Sequence, residues 1–152
     1  MKRSILMLLL LAVAGAFALS ACGGGESESE KEAEAAAKEG GSEITCEGTA
    51  MTGETGLPAS FPKPSGVTYV SSKQTGPTKV VLAYYDGDLD GAYSAYKDAF
   101  DSAGYEIPFD EKEDDDAEVS YDDSSSSTTG LVALKAACDE DRISIRITAR
   151  AE

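Results

Sequence analysis

Carboxylates dominate the residues of this chain that are able to do chemistry. Asp86-Gly87-Asp88-Leu89-Asp90-Gly91 has the spacing D-x-D-x-D-G, which opens the loop that wraps a calcium ion. Oxygen ligands at alternate positions suit a hard cation, and the glycine permits the sharp turn. Only half of such a loop is present. Its twelfth position is Lys97, where a bidentate Glu is required, and an apolar helical pattern already starts at Leu89. The residues read better as a polar turn with Asp88 as a helix N-cap; a weak calcium site at Asp86, Asp88 and Asp90 stands as the alternative. A second acidic run, Glu106 to Asp123, sets ten acids against Lys112 alone. It reads as a solvated loop, with loose collection of divalent cations or contact with a basic partner as its other uses. Ser124 to Ser127, Thr128 and Thr129 prolong that loop and offer hydroxyls for glycosylation. Tyr84, Tyr85, Tyr93, Tyr96 and Tyr105 leave two readings open: core rings whose hydroxyls reach solvent, or an aromatic ligand groove.

The chain contains no His, so the commonest acid/base group near neutral pH and the commonest metal ligand are both missing. There is no G-x-S-x-G, no phosphate-binding glycine loop and no dinucleotide fingerprint. Carboxylates are too abundant for any pair to mark a glycosidase. The expectation is a protein that is not an enzyme and carries no cofactor. The 152 residues hold 13 Lys and Arg against 28 Asp and Glu, a formal charge of −15. That length fits one domain, and that charge repels a polyanion, which excludes a nucleic-acid partner.

Lys2 and Arg3 precede an apolar stretch from Ile5 to Leu19, a basic-then-apolar order too short for a comfortable membrane span. The stretch ends in Leu19-Ser20-Ala21-Cys22. Here the chain resembles bacterial lipoproteins, whose signal peptides close on an apolar residue, two small residues and a Cys. The resemblance covers about the first 22 residues. It implies that Leu19, Ser20 and Ala21 are the signal-peptidase recognition positions. Residues 1–21 would be removed as a signal peptide, and Cys22 would carry the lipid, with acylation of the new amino terminus. It further implies an extracytoplasmic protein anchored in the cell membrane or the outer membrane. Position 23 is Gly, so no Asp follows the Cys as an inner-membrane retention cue. Loss of residues 1–21 removes Lys2, Arg3 and no acid, leaving 11 bases against 28 acids, or −17 formally.

Three cysteines are an odd number for an exported chain. If Cys22 is lipidated, Cys46 and Cys138 remain, and an oxidising compartment favours a disulfide between them; two buried thiols are the alternative. The closed loop of about 90 residues corresponds to about 4 to 5 kcal/mol in chain-entropy terms, and the bond would tie the start of the domain to its penultimate strand. Residues 22–43 form an acidic tether. Gly23-Gly24-Gly25 leads into alternating Glu residues, then an EAAAK-like stretch from Glu32 to Lys38, then Gly40-Gly41-Ser42. Both a semi-rigid helical spacer and a disordered linker fit this composition.

Residues 44–152 must form the folded part. Leu57 to Pro64, with three prolines, reads as an extended lead-in. Val67 to Ser71 and Thr78 to Tyr85 read as strands, the second apolar on both faces. Leu89, Ala92, Tyr93, Tyr96, Phe100 and Ala103 recur at helical spacing, closed by Gly104. Tyr105, Ile107 and Phe109 alternate as a short strand that Pro108 confines to an edge, and Glu118 to Tyr121 forms another short strand. Leu131 to Cys138 and Arg142 to Ala149 form a hairpin. Its last strand puts Ile143, Ile145 and Ile147 inward, and Ser144, Arg146 and Thr148 toward water. The expected fold is α+β, one antiparallel sheet with one helix packed on a face, in the order β-β-α-β-(β)-β-β.

The helix ending Tyr-x-x-Ala-Phe-x-x-Ala-Gly-Tyr after a Pro-rich lead-in loosely resembles small exported bacterial lipoproteins of unknown function, over Phe61 to Ala149. That resemblance implies no catalytic residues. Together these features predict a lipid-anchored binding module of the cell envelope, attached to the membrane and meeting an envelope protein or basic partner. A calcium-responsive module and a structural spacer are the alternatives.

Overall fold

A computed structural model describes residues 43–139 and 141–151. Six strands build one antiparallel sheet: β1 (Val67–Thr75), β2 (Thr78–Asp86), β3 (Asp110–Lys112), β4 (Asp116–Asp123), β5 (Thr128–Lys135) and β6 (Arg142–Ala151), in the order β1-β2-β6-β5-β4-β3. The single helix among the described residues, α1 (Leu89–Ala103), follows β2 and packs over β4 and β5. The expected α+β fold is therefore the observed one. Among the described residues no helix is long and apolar enough to cross a membrane.

The helix starts where its sequence dictates. Asp88 has extended backbone and its Oδ1 accepts the Gly91 N–H at 2.7 Å, satisfying a donor that lacks a partner within the helix. At the far end Gly104 adopts φ 77°, the left-handed conformation that L side chains resist, and its N–H reaches back to the Asp101 carbonyl. Leu89, Ala92, Tyr96 and Phe100 are the buried stripe between these caps. They meet Val81 and Ala83 of β2, Ile143, Ile145 and Ile147 of β6, Val132 and Leu134 of β5, and Val119 and Tyr121 of β4 in one core cluster. Register explains the choice: Val81 pairs with Ile147, Ile147 with Val132, and Val132 with Val119, so one face carries an apolar row across four strands.

Residues 43–60 form a strap around the β1 side of the sheet. The Thr45 N–H donates to Ser144 Oγ on the face opposite the helix, at 2.8 Å, and Gly48 lies on the Val70 side chain. Since β2 lies between β6 and β1, residues 45–48 cross β2 on that face. The Met51 N–H then donates to the Tyr69 carbonyl at the sheet margin, 2.8 Å. Beyond it the Thr55 carbonyl accepts from Ser72 Oγ, Gly56 lies beside Lys79, and Leu57 and Phe61 join the helix-side core.

Four details differ from the sequence expectation. Tyr105 to Phe109 does not form a strand; β3 begins at Asp110, and only Glu106 bridges, to Asp122. Pro108 offers no N–H for a ladder, and Tyr105 is drawn into the core directly behind the helix cap. The acidic run is no solvated loop, because its second half is β4, with Ala117, Val119, Ser120, Tyr121 and Asp123 buried. Cys138 lies beyond β5, in the connection to β6. Finally, Ser144 and Thr148 do not face water: they are 4% and 3% exposed.

Candidate functional site

The three aspartates of the calcium-like turn point to three different partners. Asp86, at the end of β2, accepts from Arg142 Nε at 2.9 Å. Asp88 caps the helix through Gly91. Asp90, in the first helical turn, accepts from Lys112 Nζ of β3 at 2.7 Å. A cation would need all three carboxylates turned inward on one centre. Here the turn becomes helix after Asp88, and the carboxylates serve β6, the helix and β3 instead. Among the described residues no group of three or more His, Cys, Asp or Glu side chains is placed to hold a metal ion.

A second cluster sits where the exposed side of α1 meets β3. Lys97 Nζ donates to Asp110 Oδ2 at 2.7 Å, and the Tyr93 hydroxyl donates to the same oxygen. Lys97 and then Tyr93 hold the Asp110 carboxyl below its usual range. The Tyr93 hydroxyl is pushed up, chiefly because it donates to that carboxylate. The arrangement disfavours a tyrosinate and leaves the lysine charged, so it clamps β3 to the helix rather than generating a base or a nucleophile.

The third cluster was hidden in the acidic run. Asp123 ends β4 with 4% exposure, and its carboxylate accepts from the Ser125 N–H at 3.0 Å, Ser125 Oγ, Ser126 Oγ at 2.7 Å and Ser60 Oγ at 2.8 Å. Tyr105 lies 3.1 Å from the same Ser60 hydroxyl. Burial raises the pKa of this carboxyl, but the donors from Ser125, Ser126, Ser60 and Tyr105 outweigh burial and hold it far below the ordinary range. Asp123 thus fastens the strap, the residue after the helix cap and the β4–β5 turn to one point. Two hydroxyls of the serine run, those of Ser125 and Ser126, therefore go to a buried carboxylate. Only its occurrence beside an acid at a strand end was visible in sequence.

The tyrosines do not line one groove. Tyr84 lies under Arg142, with the guanidinium 5.1 Å from its ring centre; Tyr85 is on the helix side of β2, packed among Gly66, Gly87 and Gly91. Tyr96 and Tyr105 join Phe61, Phe100 and Tyr121 in a core aromatic cluster with neighbouring ring centres 5.0 to 6.4 Å apart. Tyr121 donates to the Thr148 carbonyl at 2.8 Å. The Tyr69 and Tyr96 hydroxyls are buried with no hydrogen-bond partner among the described residues, and burial pushes the Tyr69 pKa up to about 12.

Cys46 and Cys138 form a disulfide, with Cα atoms 5.4 Å apart and a sequence separation of 92. The bond joins the strap to the β5–β6 connection, and Arg142 Nη1 reinforces it by donating to the Cys46 carbonyl at 3.3 Å. Leu19, Ser20, Ala21 and Cys22, with the signal segment and residues 22–42 of the tether, lie outside the described residues. No protein-family model matches the chain, and no curated protein matches it.

Proposed function

We propose that this protein is a lipid-anchored, extracytoplasmic binding module of a bacterial cell envelope, held to the membrane through Cys22 and performing no catalysis. The observation that carries the reading is the Cys46–Cys138 disulfide. It pairs two of three cysteines, as an oxidising compartment favours, and leaves over the one that follows Leu19-Ser20-Ala21. The polar clusters support the absence of catalysis, since each carboxylate described above is engaged in holding elements together. A strongly acidic surface suits a basic envelope protein as partner and resists anionic polymers.

Fractionation of cells expressing wild type and Cys22→Ala tests the anchor. The wild type is expected in the membrane fraction, and the variant in the soluble extracytoplasmic fraction or as unprocessed precursor. A Cys22→Ala chain that is processed normally and stays fully membrane-bound would contradict the proposal. Cross-linking in live cells followed by mass spectrometry tests the binding role. A reproducible basic envelope protein on the domain is expected, and its consistent absence would favour a spacer.

A further inference from the structure

The sheet face turned away from α1 is where this acidic chain gathers its bases. Side chains alternate along β6, so Arg142, Arg146 and Arg150 stand in one column on the side opposite Ile143, Ile145 and Ile147. Lys135, paired with Ser144, and Lys73, paired with Val80, share that face. Five of the nine bases from residue 44 onward thus lie there. The strands beside β6 set neutral residues against the column: Leu82 and Ala133 flank Arg146, and Thr78 and Thr129 flank Arg150. Apart from Asp86, which Arg142 already holds, the acids of the sheet on this face begin beyond β5, on β4 and β3.

Arg146 is incompletely served. Its Nε is buried with no hydrogen-bond partner among the described residues, a costly state for a donor. Burial lowers its pKa, and the Glu43 carboxylate opposes that effect. The strap runs along this column. The Cys46 carbonyl accepts from Arg142 Nη1, the Thr45 N–H donates to Ser144 Oγ, and Glu43 acts on Arg146. Traced from Cys46 back to Glu43, the chain therefore advances along β6 from Arg142 to Arg146, nearly residue for residue. Before Glu43 come Ser42, Gly41 and Gly40, then Glu39, then five more glutamates back to Glu26 against Lys31 and Lys38 alone.

We propose that the end of the acidic tether lies along β6 on this face, with Glu43 on Arg146 and Glu39 on Arg150. An extended chain advances about 3.3 Å per residue, so the four steps from Glu43 to Glu39 match the four from Arg146 to Arg150. Gly41 then falls over Thr148, and the missing side chains of Gly40 and Gly41 let the backbone pass close to the sheet. Both glutamates meet guanidinium groups, whose planar donors suit carboxylates. Covalent continuity with the strap holds Glu39 at high effective concentration beside the column, an advantage that a separate acidic chain, repelled by the net charge, does not have. The consequence is orientation. The tether leaves the domain at the Arg150 end of the sheet, beside the β1–β2 and β4–β5 turns, and the disulfide end points away from the attachment. This docking does not depend on lipidation, so it can fail while the anchor at Cys22 stands.

The unlipidated chain from residue 22 onward, with Cys22→Ser and a spin label on Ala36→Cys, tests it through paramagnetic broadening of backbone amides. The amides of Thr78 and Arg150 are expected to relax at least threefold faster than those of Asp86 and Arg142, at the other end of the same strands. High salt reduces the difference, Arg150→Glu abolishes it, and adding Glu39→Lys to that variant restores it. Arg150 is exposed, so its replacement leaves the core intact, which unchanged amide shifts across β2, β5 and β6 verify. Equal broadening at both ends of the sheet would overturn the proposal. So would a difference that survives Arg150→Glu, or one that does not return in the charge-swapped pair.

Discussion

At the scale of single residues, Asp123 is the most consequential acid in the domain, and sequence could not distinguish it from its neighbours. Ten carboxylates crowd Glu106 to Asp123, and a charge run conceals which member will be buried. The deciding fact is position: Asp123 pairs with Thr128 at the end of the β4–β5 ladder, beside the serines that satisfy it. Replacement by Asn leaves an amide facing hydroxyl donors and is expected to cost about 1 to 3 kcal/mol at neutral pH. The sign with pH follows from the depressed carboxyl. Its contribution is complete above the ionisation range of an unfolded Asp, about pH 3.9, and is lost as the pH falls below it toward the folded pKa. The difference in melting temperature between wild type and Asp123→Asn should therefore be steady near neutrality and shrink as solutions become strongly acid. A gap that widens in acid would contradict this. Gly130 makes a steric prediction. A Cβ there would stand 2.0 Å from the Thr148 carbonyl oxygen and 2.4 Å from the Tyr121 hydroxyl. Gly130→Ala should thus cost about 1 to 3 kcal/mol or more in denaturant unfolding, because backbone cannot yield as a flexible side chain can.

Among the elements, α1 was the most legible, since its caps and apolar spacing are local properties. Asp88, Leu89, Phe100 and Gly104 each act where the pattern placed them. Asp88→Ala should lower stability by about 1 kcal/mol through loss of the cap. Millimolar calcium should leave the melting temperature of wild type unchanged, since Asp86, Asp88 and Asp90 serve three partners; a calcium-dependent rise would restore the cation reading. The strands after the helix were less legible, because pairing decides them and pairing is not local. Tyr105, Ile107 and Phe109 alternate like a strand, but Tyr105 is 6% exposed in the core while Phe109 is 39% exposed. Ser144 and Thr148 look like a solvent face only until the strap lays Thr45 against the first of them. Nothing in the local pattern of residues 43–60 announces that they wrap a sheet.

For the whole molecule, charge and cysteines carry the account. The described acids lie on the strap, on turns and strand ends, along α1 and on β3 and β4, outside the apolar cluster, and the apolar row across β2, β6, β5 and β4 is sufficient for one core. The disulfide spans 92 residues of sequence, so its removal by Cys46→Ser with Cys138→Ser should lower stability, with about 4 to 5 kcal/mol as the upper range from chain entropy. Helix content should survive at ambient temperature, since the core lies apart from residues 43–56. Far-UV circular dichroism during thermal unfolding, with and without reductant, measures both. The pairing of Cys46 with Cys138 was legible only once Cys22 had been set aside, which depended on the short signal-like segment and not on the domain. The central claim, an exported domain anchored by lipid at Cys22, is tested most directly by intact-mass and peptide mass spectrometry of protein extracted from membranes. The account predicts a chain that begins at Cys22 with an acyl-bearing modification on that residue and a Cys46–Cys138 peptide pair that separates on reduction. A chain that retains Met1 with Cys22 unmodified would contradict it.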